Sequence, residues 1–487
     1  MATFNPELFL STLALIGAVI IISALLSGFI EKSGLPQVAV FLGLGAAIGP
    51  YGLNLINVDL HSPILRVVGT LSLVLVLFTD AVSLNIAEVR KHRFLSFLVL
   101  GPGTLFSAVL IGLFSWWLLG LSLGAALILG AALASTDPVM LRALLGKPGL
   151  NPAVRQALRL EGGMNDAVLL PLVLVGMMLL SQGHSPSVSD WAHLGMNILI
   201  LSPAAGVIVG LAALAMLDLV RKRLGVRRDY ESIYSLGVAF AAFAAAEAVH
   251  GSGFLAAFAA GLTISALDVE LCDCFLEYGQ TTAEMLLMFT FVLFGMSVIW
   301  TGLGILGTAT LLFVLATFAA RPIAFIPALL PAKLPPKDRG LIAWFGPRAL
   351  SSLLLVLLPV FAGLPQGDRL LTICCLVVLF SVLLHGLSPS FLIKPPQRRA
   401  ANVLPPIVQP AHEQVAVDDP EYISLAQVKS LQAHPGRLII IDARSERTYN
   451  DSDQSIPGSI RLPPDQAART AAQVGLPKGA VLAVLCA

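Results

Sequence analysis

Residues 123–145 read LGAALILGAALASTDPVMLRALL. Twelve apolar or small residues pass without a charge, then Ser135, Thr136, Asp137 and Pro138 interrupt, and the apolar run resumes. A bilayer core needs about 20 apolar residues in a helix, and this stretch has that length. Pro138 removes a backbone donor and biases Asp137 away from helical geometry. The helix is therefore expected to break at mid-depth beside a carboxylate. A break leaves free carbonyls and the negative end of a half-helix dipole, and both suit a cation. Thr136 adds a hydroxyl ligand. The competing reading is a proline kink in which Asp137 caps the second half-helix.

The rest of the chain fits a membrane protein. Hydrophobic residues make up 56% of the 487 positions and charged residues 12%, against about 25% charge in soluble domains. The net charge of +1 gives no bias toward nucleic acid. The same ruler places 13 spans, near 8–30, 35–52, 64–86, 94–119, 122–145, 153–181, 194–220, 229–249, 252–267, 282–302, 304–330, 339–362 and 369–393. The first run, Leu8–Ile30, lacks a basic leader and is long enough to span, so it reads as a helix rather than a cleaved signal.

Alternate loops hold the basic clusters: RKHR at 90–93, the stretch 142–159, RKRLGVRR at 221–228, and Lys333, Lys337 and Arg339. Positive loops stay cytoplasmic, which puts the N-terminus outside and the C-terminal tail in the cytoplasm of a cell (inner) membrane. Thirteen spans divide as six, one and six. The connecting helix gives the second six-span unit the inverted topology, a common architecture of secondary transporters. The fold expected is an all-α polytopic membrane protein.

Ionisable residues within spans default to functional roles, because they are expensive there. Asp166 lies in LEGGMNDAVLLP, with Asn165 beside it as a neutral oxygen donor. Glu161 and Asn165 share a helix face at i, i+4, whereas Asp166 is turned about 100° away. Asp137, Thr136, Asn165 and Asp166 together offer hard oxygen ligands for an alkali cation such as Na⁺, held at Asp137 and Asp166. Arg348 lies in WFGPRALSS, where Gly346 and Pro347 should break another helix. It needs a buried partner, and Glu161 is the expected one, as a structural ion pair near the site. Asp80 closes LVLVLFTDAVSL as a proton relay or a solvated helix end. Burial disfavours ionised carboxylates. A carboxylate that can hold either a proton or a cation, combined with alternating access, gives antiport.

TDPV at 136–139, EGGMNDA at 161–167, FGPRAL at 345–350 and LFTDAVSLNIAEVRKHR at 77–93 resemble the monovalent cation/proton antiporters, specifically the electroneutral Na⁺/H⁺ exchanger branch. The resemblance covers about residues 8–393. It implies a homodimer of 13-span chains, each with a dimerisation domain and a core of crossed, broken helices. It implies Asp166 as main carrier, Asp137 and Thr136 at the break, Glu161 paired with Arg348, and one cation per proton. Gly162-Gly163 stand where a Ser often sits in that motif. No cofactor is expected, only the transported Na⁺, Li⁺ or K⁺, and H⁺.

Residues 1–393 form the expected transmembrane domain, 394–420 a Pro-rich linker and 421–487 a small α/β unit. From Lys394 onward, 10 Lys/Arg and 9 Asp/Glu fall within 94 residues, so the tail is soluble in character. LIIIDARSERTYNDSDQSIPGSIRLPPD and the strand AVLAVLCA resemble a partial rhodanese-like domain, with Cys486 where that family carries its nucleophile. The sequence stops one residue after Cys486, before the loop that would follow it, so a regulatory or vestigial tail, or a shortened sequence, is expected rather than sulfur transfer. Two other functions stay in play. One is a K⁺/H⁺ exchanger regulated by the tail. The other is a membrane-anchored sulfurtransferase, which leaves the buried carboxylates unexplained.

Overall fold

The computed structural model describes most of residues 36–392 and, farther on, mainly 438–443, 458–462 and 481–485. Nearly all of the expected first span at 8–30, and Cys486, lie outside the described residues. Contacts divide the chain into two compact units, Met1–Arg398 and Arg399–Ala487.

Among the described residues the first unit is helical. Seven helices are long and apolar enough to cross a membrane, or eight if Thr281–Met296 and Val298–Ile305, bent by 48°, count as one span. Four more apolar helices are shorter, including Gln37–Ile48 and Gly253–Ala266. Thirteen spans is a finer count than these criteria give. The apolar run 282–302 departs from a single helix. Asp273–Met296 stops at Ser297, whose hydroxyl donates to the Val58 carbonyl, and the chain continues as the 3-10 turn Val298–Ile305. A tertiary hydrogen bond accompanies that break, and the hydropathy of the run does not reveal it.

Two other runs are interrupted where proline and glycine predicted. The first divides into Leu123–Ala134 and Pro138–Leu145. The second divides into Pro336–Trp344 and Leu350–Phe361. Close backbone approach fixes the first against its neighbours. A Cβ added at Gly130 would sit 2.5 Å from the Ala108 carbonyl, and one at Gly124 would sit 2.8 Å from the Gly176 carbonyl. In lipid, helices associate through such small-residue contacts rather than through hydrophobic transfer. The Gly124–Gly176 contact seats Leu123–Ala134 directly on Pro152–Ser181, the helix that carries Glu161, Asn165 and Asp166.

In the second unit, β1 (Leu438–Asp442) lies between β2 (Ile460–Arg461) and β3 (Val481–Leu485), all parallel. Asp442 pairs in register with Arg461 on one side and Leu485 on the other. The continuous apolar run of LIIID suits a central parallel strand.

Candidate ion-binding site

The two interrupted helices cross, and each break supplies what the other lacks. At the first, Ser135 is extended (φ −63°, ψ 136°) and Pro138 opens the next half-helix. The Asp137 carboxylate then caps two helices at once. Oδ1 accepts from the Met140 amide at 3.0 Å, and Oδ2 accepts from the Leu350 amide, across the crossing, at 2.8 Å. The Asp137 amide in turn donates to the Pro347 carbonyl at 2.8 Å. Two positive helix N-termini therefore converge on one carboxylate.

The helix C-termini receive the opposite charge. Arg348 Nε donates to the Leu133 carbonyl at 2.5 Å, near the end of Leu123–Ala134, and Nη2 donates to Thr317 at 2.8 Å. Its own amide donates to Ser381 Oγ at 2.7 Å. Ser381 in turn faces His385 Nδ1 at 3.1 Å, and His385 Nε2 lies 3.2 Å from the Trp344 carbonyl. That carbonyl only accepts, so Nε2 carries the hydrogen and Nδ1 accepts from Ser381.

The expected Glu161–Arg348 pair is not formed. Glu161 binds Arg321 instead, from helix Thr308–Ala328, through both carboxylate oxygens, with Nη2–Oε2 at 2.7 Å. Arg321 also donates to the Ile342 and Phe345 carbonyls at 2.9 and 3.2 Å, at the end of Pro336–Trp344. The physical reason is that Arg348 is used up by carbonyls of the other half-helix, while Arg321 reaches Glu161 in the fork geometry that a bidentate pair prefers. Gly346 leaves the room: a Cβ there would lie 2.3 Å from Arg321 Nε. The carbonyls freed by both breaks, expected to face a cation, are thus held in part by guanidinium groups.

Asp166 is different. Ser135 Oγ donates to Oδ1 at 2.5 Å, and the buried Ser351 side chain lies near the carboxylate. Asn165 Nδ2 donates to the Thr136 carbonyl at 3.3 Å, and its Oδ1 is buried without a partner. Thr136 Oγ1 donates to Glu161 at 2.9 Å and accepts from Arg321 at 3.3 Å. Asp137, Glu161, Asp166, Arg321 and Arg348 are each at most 6% exposed. Three carboxylates therefore share the crossing with two guanidinium groups.

Residues 18–394 match the family described as sodium/hydrogen exchanger, transmembrane. The chain belongs to that family. Among the relatives of this chain is the K(+)/H(+) antiporter NhaP of Alkalimonas amylolytica, 26% identical, the alignment covering 78% of this chain and 66% of that protein. The K(+)/H(+) antiporter NhaP2 of Shewanella sp. strain ANA-3 is 27% identical over 77% of this chain and 65% of its own length. The chain therefore spans just under two thirds of the length of those relatives. The Na(+)/H(+) antiporter NhaG of Bacillus atrophaeus is 24% identical over 76% and 72%. The fold is similar to that of the sodium proton antiporter MjNhaP1 from Methanocaldococcus jannaschii, with TM-score 0.64, 21% identity, and coverage of 80% of this chain and 98% of that one.

Within this chain, Asp137, Thr136, Glu161, Asn165, Asp166 and Arg348 all come to one crossing. Asp80 sits half-buried near the end of Pro63–Val82, its carbonyl accepting from Ser83 at 2.9 Å and lying 4.0 Å from a Cβ built on Gly163. Arg321 was missed from sequence, yet a signal existed: it is the only charged residue in the run 304–330. Ser135 and Ser351 gave no signal, since hydroxyl residues are common in membrane helices.

Proposed function

We propose that this chain is a secondary transporter, not an enzyme, that exchanges one monovalent cation for one proton through Asp166. One observation carries the reading. Of the three carboxylates buried at the crossing, Glu161 is paired with Arg321, and Asp137 is held by backbone amides of two helix N-termini, whereas Asp166 accepts from the Ser135 hydroxyl. With all five groups ionised, three negative charges against two positive ones leave a single negative charge. An unbalanced charge in a low-dielectric interior is costly. One alkali cation or one proton cancels it, and the two compete for the same carboxylate.

Asp137 then holds the crossing together and adds its field to the site, Thr136 and Asn165 brace it, and Glu161 with Arg321 replaces the ion pair expected with Arg348. Asp80 serves as a proton relay toward the cytoplasm. The cation is Na⁺ or Li⁺ by the motif resemblance. K⁺ is the second reading, favoured by the names of the two K(+)/H(+) relatives above. The reading includes 13 spans in two inverted six-helix units and a homodimer in a cell membrane. It also includes a cytoplasmic, partial rhodanese-like regulatory tail after a linker at 394–420.

The experiment is ΔpH dissipation in everted vesicles, with Na⁺, Li⁺ and K⁺ added in turn to wild type and Asp166→Asn. The expected result is collapse of the gradient by at least one cation in the wild type alone. Equal collapse in Asp166→Asn removes Asp166 from the mechanism.

A further inference from the structure

A single carboxylate does not replace the hydration shell of an alkali ion, so other oxygens must complete it. Most candidates at the crossing are committed. Both Asp137 oxygens accept backbone amides. The Thr136 hydroxyl is shared between Glu161 and Arg321. The Leu133 carbonyl is taken by Arg348. What remains beside Asp166 are two buried serine hydroxyls that arrive from different interrupted helices. Ser135 lies in the first break, and Ser351 lies in the first turn of Leu350–Phe361.

We propose that Ser135 and Ser351 are cation ligands, and that the span between their two hydroxyls sets which alkali ion this site prefers. The inference rests on the antiport reading above and adds its specificity-determining residues. Each hydroxyl has one hydrogen and two lone pairs, and its hydrogen rotates freely. The Ser135 hydrogen points at Asp166, at 2.5 Å. When a cation sits against the carboxylate, the lone pairs turn to it. Neutral hard oxygens suit alkali ions. Selection between ions of one charge follows cavity size and ligand number. Because the two serines belong to different helices, the crossing angle, and not local backbone, fixes their separation. The partnerless, buried Oδ1 of Asn165 is a further uncommitted oxygen on the same helix as Asp166.

The test uses the full chain in proteoliposomes, with KM and kcat measured for Na⁺, Li⁺, K⁺ and Tl⁺. Ser135→Ala and Ser351→Ala are each expected to raise KM for the preferred cation by about tenfold, the scale of one lost ligand, with a smaller change in kcat. Ser135→Cys and Ser351→Cys are near in size but replace hard oxygen with soft sulfur. They are expected to raise the ratio of kcat/KM for Tl⁺ over K⁺ several-fold, about the effect of a softer donor on a softer ion. A merely structural serine would not move that ratio. Alanine variants that insert normally with every KM within about twofold of wild type, or cysteine variants with an unmoved Tl⁺/K⁺ ratio, overturn the inference. The cysteine pair decides where an alanine variant fails to insert. If the wild type exchanges no cation, the antiport reading falls first and this one with it.

Discussion

The two helix breaks differ in what they contribute. The first is three residues long, 135–137, and delivers a carboxylate; the second is five residues long, 345–349, and delivers a guanidinium. Yet neither side chain caps only its own break. Asp137 caps the half-helix that leaves the second break, and Arg348 caps the half-helix that enters the first. The pair teaches that a broken helix in lipid needs its orphan amides and carbonyls satisfied from outside itself. Two breaks that cross solve the problem reciprocally, and the third carboxylate, Asp166, is left outside both caps, with the Ser135 hydroxyl as its partner.

Removing one charge at a time tests this reciprocity. Glu161→Ala leaves Arg321 buried at the second break without its carboxylate. It is expected to cost about 3–5 kcal/mol, read as a lower midpoint of thermal unfolding in detergent, and Glu161→Ala with Arg321→Ala together should cost less than the sum of the singles. Arg348→Lys keeps the charge but loses the fork that holds both the Leu133 and Thr317 carbonyls. About 1.5–3 kcal/mol should go, with exchange slowed in the same vesicles, whereas a neutral effect would show that the first break caps itself. Gly346→Ala pushes a methyl into Arg321 and should cost about 1–3 kcal/mol. A second change, Arg321→Lys, made in that background should relieve part of the loss. Ser381→Ala removes the acceptor for the Arg348 amide and uncouples His385 from the break. It is the mildest, at about 0.5–1.5 kcal/mol, visible as faster amide exchange in residues 345–349.

Much of this architecture was legible in the sequence, and the reasons are physical. Pro138 and the Gly346-Pro347 step announce breaks because they remove donors and relax the backbone, and both breaks formed. Asp137, Glu161, Asp166 and Arg348 stood out because charges in apolar runs are costly, and all four meet at the crossing. The Glu161 partner was not legible. Choosing between Arg321 and Arg348 requires knowing which carbonyls each guanidinium already serves, and that depends on how helices far apart in sequence cross. Ser135 and Ser351 were silent for a similar reason: a hydroxyl has no composition signature, and only the seating of Leu123–Ala134 on Pro152–Ser181 brings Ser135 to Asp166. The bend at Ser297 was hidden because the hydroxyl there is bonded to Val58, 239 residues away, and nothing in the apolar run itself marks it.

The central claim is that Asp166 carries the single unbalanced charge of the crossing, and its most direct test is the balance point of exchange. Proteoliposomes would be loaded with opposed cation and proton gradients, with membrane potential clamped at several values. The account predicts no net proton flux when the two gradients are equal in ratio, at every potential, and no flux at all in Asp166→Asn. A balance point that moves with potential, or persistent exchange in that variant, would contradict it.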